Sequence, residues 1–324
     1  MPSARLKTAV RTVVGRTLNA SPPFWRALSG RALILMYHRV LPREAAARAF
    51  VQAGMYVTTA TFQCHLEWLM QHFQVVTLRS LVERWDRGDW DERARYCAIT
   101  FDDGWVDNYR YAYPLLRAHG APATIFLPTA LTGTREWLWS DRLGYLLRVA
   151  ASRGERVADP DAEIERAKRL PRAHCDELID ALARRLHARV PDDRCFLDWN
   201  EVREMAKGNV DFASHTSSHA LLPALDAGAL HQELRQPLDV LARELRTFAP
   251  LLAYPNGDHT AAVVDAARRA GYAAAVTTQP GVESRVPVDR LRLRRVGAHE
   301  DVSHTIPLFM FHIAQQVTSE RWWQ

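Results

Sequence analysis

Short apolar runs recur along the chain, separated by longer stretches in which apolar residues return every three or four positions. Residues 32–37, 75–78, 96–99, 123–127, 210–213, 251–254 and 273–277 are of the first kind, and continuous apolar runs of that length predict strands buried on both faces; 291–296, with Leu291, Leu293 and Val296 among arginines, is read as the last strand. Between them lie helical patterns. Residues 59–73 carry Phe62, Leu66, Leu69 and Phe73 on one stripe. Residues 105–119 stop at Gly120, a residue suited to a left-handed cap, and 261–270 are closed likewise by Gly271. Asp198 and Glu201 have the spacing of a capping box that opens a helix ending at Gly208. Leucines 230, 234, 238, 241 and 245 mark a long helix with a kink expected at Pro237. Strands alternating with helices predict an α/β chain whose parallel sheet closes as a barrel.

The rhythm pauses once. Residues 136–190 are mostly helical, with Leu143, Leu146, Leu147 and Ala150 on one stripe and Leu178, Leu182, Leu186 and Val190 on another. An insertion of that length is either a cap over a site or an extra packed hairpin. At the N-terminus, residues 4–18 place Leu6, Val10, Val13, Val14 and Leu18 at helical spacing, with Arg5, Lys7, Arg11 and Arg16 largely elsewhere on the wheel. Such a helix either lies on acidic lipid or packs on the barrel wall. Pro22-Pro23 then marks a break.

Composition changes this picture little. With 324 residues, 48% apolar and 24% charged, the chain has material for one large barrel with insertions, and wholesale disorder is excluded. The net charge of +5 is small for this length and not gathered in one tract, so nucleic acid is not an expected partner. Cys64, Cys97, Cys175 and Cys195 form no Cys-x-x-Cys pair and are expected as reduced thiols. No run approaches the ~20 apolar residues of a membrane span. Arg11 and Arg16 interrupt what would be the apolar core of a signal peptide, which gives a cytoplasmic location as the expectation. The tail 307–324 carries Phe309, Phe311, Trp322 and Trp323, and is expected to pack on the barrel or meet an interface.

The candidate chemistry follows the strands. Thr100-Phe101-Asp102-Asp103-Gly104 delivers two adjacent carboxylates at the end of the run 96–99, and burying them calls for a positive charge nearby. A divalent metal is one such charge. Its further ligands are available in His215-Thr216-Ser217-Ser218-His219, just after the run 210–213. Histidines at i and i+4 share one face if the segment makes a helical turn. One Asp and two His leave coordination positions open for water and substrate, as catalytic sites do.

These two motifs resemble the first two motifs of the polysaccharide deacetylases, the carbohydrate esterases with a NodB-homology domain. Ala253-Tyr254-Pro255-Asn256-Gly257 is similar to a third element of one branch, and Met36-Tyr37-His38-Arg39-Val40 resembles the opening strand of the circularly permuted poly-N-acetylglucosamine deacetylases. The Arg-x-Pro and Leu-x-His motifs of the better-known branch are not clearly present. The resemblance implies an irregular (β/α)7 barrel with a helical insertion after the third core strand. It divides the chain into an amphipathic extension (1–30), the barrel (31–300, insertion about 131–197) and a tail (301–324). It implies Asp103, His215 and His219 as ligands of one divalent metal, zinc by default, with cobalt, nickel or iron also accepted. By the same resemblance Asp102 is the general base, and the Asn256 N–H after Tyr254 and Pro255 holds the oxyanion. His38 is the general acid, with His299 in reserve. The implied reaction removes N-acetyl groups from a sugar in a polysaccharide or lipid-linked glycan, with a peripheral membrane contact open. Hydrolysis of O-acetyl esters or small amides, and non-catalytic glycan binding on the same scaffold, are the alternatives.

Overall fold

The computed structural model describes the chain except residues 1–3, 49–50, 53, 158, 169, 171 and 319–324. The expectation for Trp322 and Trp323 lies outside the described residues. Seven strands form the wall: β1 (Arg31–Tyr37), β2 (Arg95–Phe101), β3 (Ala123–Leu127), β4 (Val210–Ser214), β5 (Leu251–Ala253), β6 (Ala274–Val276) and β7 (Val296–Gly297). They stand in the order β7-β1-β2-β3-β4-β5-β6, paired in parallel throughout. The short strand Gln74–Val76 adds to β2 beside Tyr96–Ala98, and β3 takes over from Thr100.

The ring closes where the last predicted strand, 291–296, behaves differently from expectation. Arg290–Arg292 is a 3-10 turn capped by Asp289. Leu293 then bridges to Val276 of β6, while Val296 pairs with Leu35 of β1. The segment crosses from one edge strand to the other, so it cannot stay paired with either for long. Arg295 sits in that seam.

Alternation along each strand sorts the side chains. Ala32 and Ile34 of β1, Tyr96 and Ala98 of β2, Ala213 of β4, Ala253 of β5, and Ala274 and Val276 of β6 pack with Leu293 in one cluster. Leu33, Leu35 and Tyr37, with Cys97, Ile99 and Phe101, face the opposite way. Phe126 of β3 and Leu251 of β5 belong to the same cluster, so small alanines and a few large side chains share the interior of the narrow barrel. Extending the inner parity by two residues at a time reaches His38 from Ile34, Asp102 from Ala98, and His215 from Ala213. The strand period therefore aims these three side chains into one mouth.

After β3 the insertion forms helices Trp139–Ser152, Pro160–Ala167 and Arg172–Arg185 around a core of its own that includes Leu143, Leu146, Ile164 and Ile179. Pro22 and Pro23, read as a break, instead open the helix Pro22–Leu28 behind the N-cap Ser21, since proline fits the first helical turn. Pro237 lies inside the uninterrupted helix Ala227–Glu244. The helix Ala4–Asn19 packs along Ile306–Thr318 so closely that a Cβ on Gly15 would lie 1.8 Å from the Pro307 carbonyl oxygen. All four cysteines are unpaired thiols. Among the described residues, no helix is long and apolar enough to cross a membrane.

Candidate active site

A cavity of about 330 Å³ opens at the C-terminal end of the strands and is lined by His38, Asp102, Asp103, His215, His219, Asn256 and His299, among others. Asp103 follows β2 at φ 69°, and this left-handed turn swings its carboxylate back over the barrel mouth. Gly104 continues at φ 62°, where a Cβ would lie 2.5 Å from the Leu127 side chain; the Asp-Gly pair is what lets the chain turn here.

His215 and His219 meet by a route different from the one expected. The segment after β4 is a loop rather than a helical turn, with Thr216 at φ 66° and His219 at φ 61°. Glu233, from the helix Ala227–Glu244, accepts the N–H groups of Ser217 and Ser218 at 2.9 Å and the Ser218 hydroxyl at 2.6 Å. The loop is thus clamped from outside. His215 Nε2 and His219 Nε2 each stand 3.3 Å from Asp103 Oδ1, and the three ligand atoms fall within 4.8 Å of one another.

The donor set fits a metal. Ligands at ~2.1 Å from a tetrahedral cation are about 3.4 Å apart, close to the two separations found. His215 Nδ1 is 2.8 Å from the Ala253 carbonyl and must donate to it, which leaves Nε2 as a lone pair facing Asp103. The Trp105 indole donates to Asp103 Oδ2 at 3.0 Å, so Oδ1 is the oxygen turned to the histidines. Trp105 is held in turn under the Arg39 guanidinium, 4.3 Å from its ring, and Arg39 pairs with Asp107 at 2.8 Å.

Asp102 has a different partner. Arg295 grips it with two hydrogen bonds of 2.7 Å and also donates to the Thr277 carbonyl and the Thr100 hydroxyl; its own side chain is 0% exposed. Burial pushes the Asp102 carboxyl up, but the Arg295 charge and its hydrogen bonds outweigh that and hold it below the ordinary carboxylate value. For Asp103, burial is likewise overcome by the hydrogen bonds of His215 and His219, and the group lies well below that value. Burial pulls the His38 imidazole down against the charges of Asp103 and Asp102. Its Nε2 is 4.0 Å from Asp102 Oδ2.

The structure brings both candidate acids to the cavity. His38 follows β1, with its carbonyl held by the Asn108 side chain at 2.9 Å. His299 sits at the rim, paired with Asp301. The third motif divides: Asn256, at φ 56°, lines the cavity, whereas the Tyr254 ring is buried and its phenol donates to the Leu291 carbonyl at 3.0 Å. Tyr254 and Pro255 are not part of the lining and shape the turn that presents Asn256.

Sequence reasoning missed three contributors. Arg295 is the positive charge that two buried acids demanded; it is one of three arginines in the segment 291–296, and nothing in the sequence separates it from Arg292 and Arg294. Glu233 carried no signal among the charges of an ordinary amphipathic helix. The insertion supplies Leu138, Trp139, Ser140 and Asp141 to the cavity wall, with Lys168 beyond them, and burial pushes Asp141 up to about 6.

The family model for polysaccharide deacetylases matches residues 90–275. That stretch holds Asp102, Asp103, His215, His219 and Asn256 and leaves His38 and Arg295 outside. YxkH of Bacillus subtilis (strain 168), assigned by name to the same family, is 23% identical over 256 residues, which is 78% of this chain and 66% of that protein. The chain thus spans just under two thirds of that relative. Among solved structures, the Streptococcus pyogenes deacetylase PplD in complex with acetate aligns with a TM-score of 0.61 and 20% identity, covering 87% of this chain and 98% of that one. A de-N-acetylase from Aggregatibacter actinomycetemcomitans aligns at 0.61 and 18% identity over 87% and 99% of the two chains. IcaB from Ammonifex degensii follows at 0.57 and 18%, over 88% and 97%. At these identities the likeness is one of fold, and it runs nearly the full length of each neighbour. With a family match over more than half its length, carried on a parallel (β/α)7 barrel, this chain belongs to the polysaccharide deacetylase family.

Proposed function

We propose that the protein is a metal-dependent hydrolase that removes N-acetyl groups from an N-acetylated sugar in a polysaccharide or a lipid-linked glycan. The observation that carries this reading is the division of labour between adjacent acids. Asp103 faces two histidine nitrogens at 3.3 Å, while Asp102 is turned away from them and held by Arg295.

Asp103, His215 and His219 would hold the ion, with zinc the default and cobalt, nickel or iron also suited to two imidazoles and a carboxylate. When bound, it would supply Lewis acidity, lowering the pKa of water and polarising the acetamide carbonyl. Asp102 takes the proton of the attacking water. Arg295 keeps that carboxylate ionised and fixed in orientation, so the base costs no reorganisation at the moment of attack. As the water oxygen bonds to the acetyl carbon, the Asn256 N–H binds the oxygen that gains charge. His38, whose Nε2 is 4.0 Å from Asp102, hands the proton taken from the water on to the departing nitrogen, the C–N bond breaks, and acetate and a free amino sugar result. Leu138 and Trp139 give the cavity an apolar wall on the insertion side, and Asp141 and Lys168 offer groups for sugar hydroxyls.

The test is acetate release from chitooligosaccharides and from acetylated xylan, with the protein stripped by chelator and reloaded. Release from the N-acetylated substrate that needs the metal, and that falls ~10²-fold or more in Asp102→Asn with metal content retained, is the expected result. Release from xylan alone would move the activity to O-acetyl esters. No release from either substrate by the loaded protein would overturn the reading.

A further inference from the structure

We infer that the helix Ala4–Asn19 docks the protein on an anionic lipid bilayer. One face of this helix is committed to the fold: Gly15 is buried against Pro307, and Arg11 lies over the Phe311 ring at 5.8 Å. The opposite face is turned outward and is apolar apart from Thr17 near its C-terminal end. Leu6 is 54% exposed, Val10 54%, Val13 63% and Val14 38%. Elsewhere the large exposed apolar residues are scattered singly or in pairs, so four on one helical face is a departure from an ordinary surface.

The charge around the stripe selects its occupant. At 100° per residue the apolar stripe is flanked on one side by Lys7 and on the other by Arg16, both exposed. That is the layout of a helix lying in a membrane interface, with apolar residues downward and cations at headgroup level. The helix contains no acidic residue, nor does its partner Ile306–Thr318, and the first acid in the chain is Glu44. A two-helix layer without a single carboxylate is complementary to a negative surface. A second copy of the same layer would instead bring like charges together.

The docked layer is close to the catalytic mouth. His312, one residue beyond Phe311, bonds the carbonyl of Gly297 at 2.9 Å, and Gly297 lines the cavity. The exposed stripe is therefore one helix removed from the rim.

Flotation of the full chain with phosphatidylcholine vesicles containing about one third phosphatidylglycerol, and with vesicles of phosphatidylcholine alone, tests this. Wild type should float with the anionic vesicles and bind at least ~10-fold less to the neutral ones. Val10→Asp/Val13→Asp should lower the bound fraction ~10-fold or more, and Lys7→Gln/Arg16→Gln several-fold, with unchanged urea unfolding curves, because these side chains are outside the core. Three results would overturn the inference: wild type that stays with neither vesicle, aspartate variants that bind as wild type does, or a wild-type dimer in sedimentation velocity that Val10→Asp/Val13→Asp dissolves. The last would assign the face to a second copy. None of these readouts depends on acetate release, so the inference fails or stands apart from the proposed activity.

Discussion

Removing Arg295 should cost stability mainly through the charge it leaves behind. In Arg295→Met the Thr277 carbonyl and the Thr100 hydroxyl each lose a donor, and Asp102 loses two bonds of 2.7 Å in a site where its side chain is 3% exposed. Breaking a buried pair from one side typically costs about 3–5 kcal/mol, because the surviving charge is desolvated with nothing to offset it. The two bonds to the uncharged Thr277 and Thr100 groups are donated by a guanidinium and are worth about 1.5 kcal/mol each at the low end. They stay lost in the double variant, whereas the orphaned charge does not, so Asp102→Asn/Arg295→Met should regain roughly 2–3 kcal/mol over the single variant. At ~2.1 cal/mol/K per residue, 324 residues give an unfolding entropy near 0.7 kcal/mol/K. The single variant should thus melt about 4–7 °C below wild type and the double variant closer to it. Urea unfolding of all four proteins in chelator, so that bound metal adds nothing to the folded state, closes the cycle. An Arg295→Met protein within ~1 kcal/mol of wild type, or a double variant no more stable than the single, would refute the account of Arg295 as the counter-charge of the buried base.

The metal ligands are tested by composition rather than rate: wild type should carry one divalent ion per chain and His215→Ala almost none, and equal contents would remove this set. The assignment of the acid rests on the leaving group. His38→Ala should lose amide hydrolysis by ~10²-fold or more while keeping much of the activity on an aryl acetate, whose leaving group needs no proton. His299→Ala should do neither, and the opposite pattern would transfer the role to His299. Away from the site, burial pulls His65 down to about 4. Its ring lies between the Tyr37 hydroxyl at 3.0 Å and the Ser303 carbonyl at 2.7 Å, stacked on Phe309. A histidine lowered on folding binds its proton in the unfolded chain first, so stability falls as pH drops from ~6.5 towards 4, by about 3 kcal/mol at 1.36 kcal/mol per pH unit. His65→Gln should be the less stable protein at pH 7, and its deficit should shrink by about that amount at pH 4; a constant gap across the range would place the His65 pKa elsewhere.

Much of the architecture was legible because it is local. Apolar runs of strand length, separated by helical stripes, report the backbone period directly, and that period decides which way each side chain points. His38, Asp102 and His215 could be read as neighbours at one rim because each ends such a run on the inward phase. The capping box at Asp198 and Glu201, and the glycines 120 and 271, were legible for the same reason: each acts within one turn of chain.

What only the tertiary structure decided are the contacts between segments that the chain does not hold near one another. Arg295 meets Asp102 across 193 positions, through a seam that exists only once β7 has reached β1. Glu233 clamps the His215–His219 loop because the helix Ala227–Glu244 returns across β4. Without that clamp the spacing of the two histidines suggests a helical turn, and the left-handed residues that bring them together carry no glycine to announce them. The helix Ala4–Asn19 shows the same limit. Its sequence allowed a packed face or an exposed apolar one, and the fold gives it both, since Gly15 meets Pro307 and leaves Val10 and Val13 on the far side. Periodicity records how a segment is built; which surface it meets depends on closure of the whole ring.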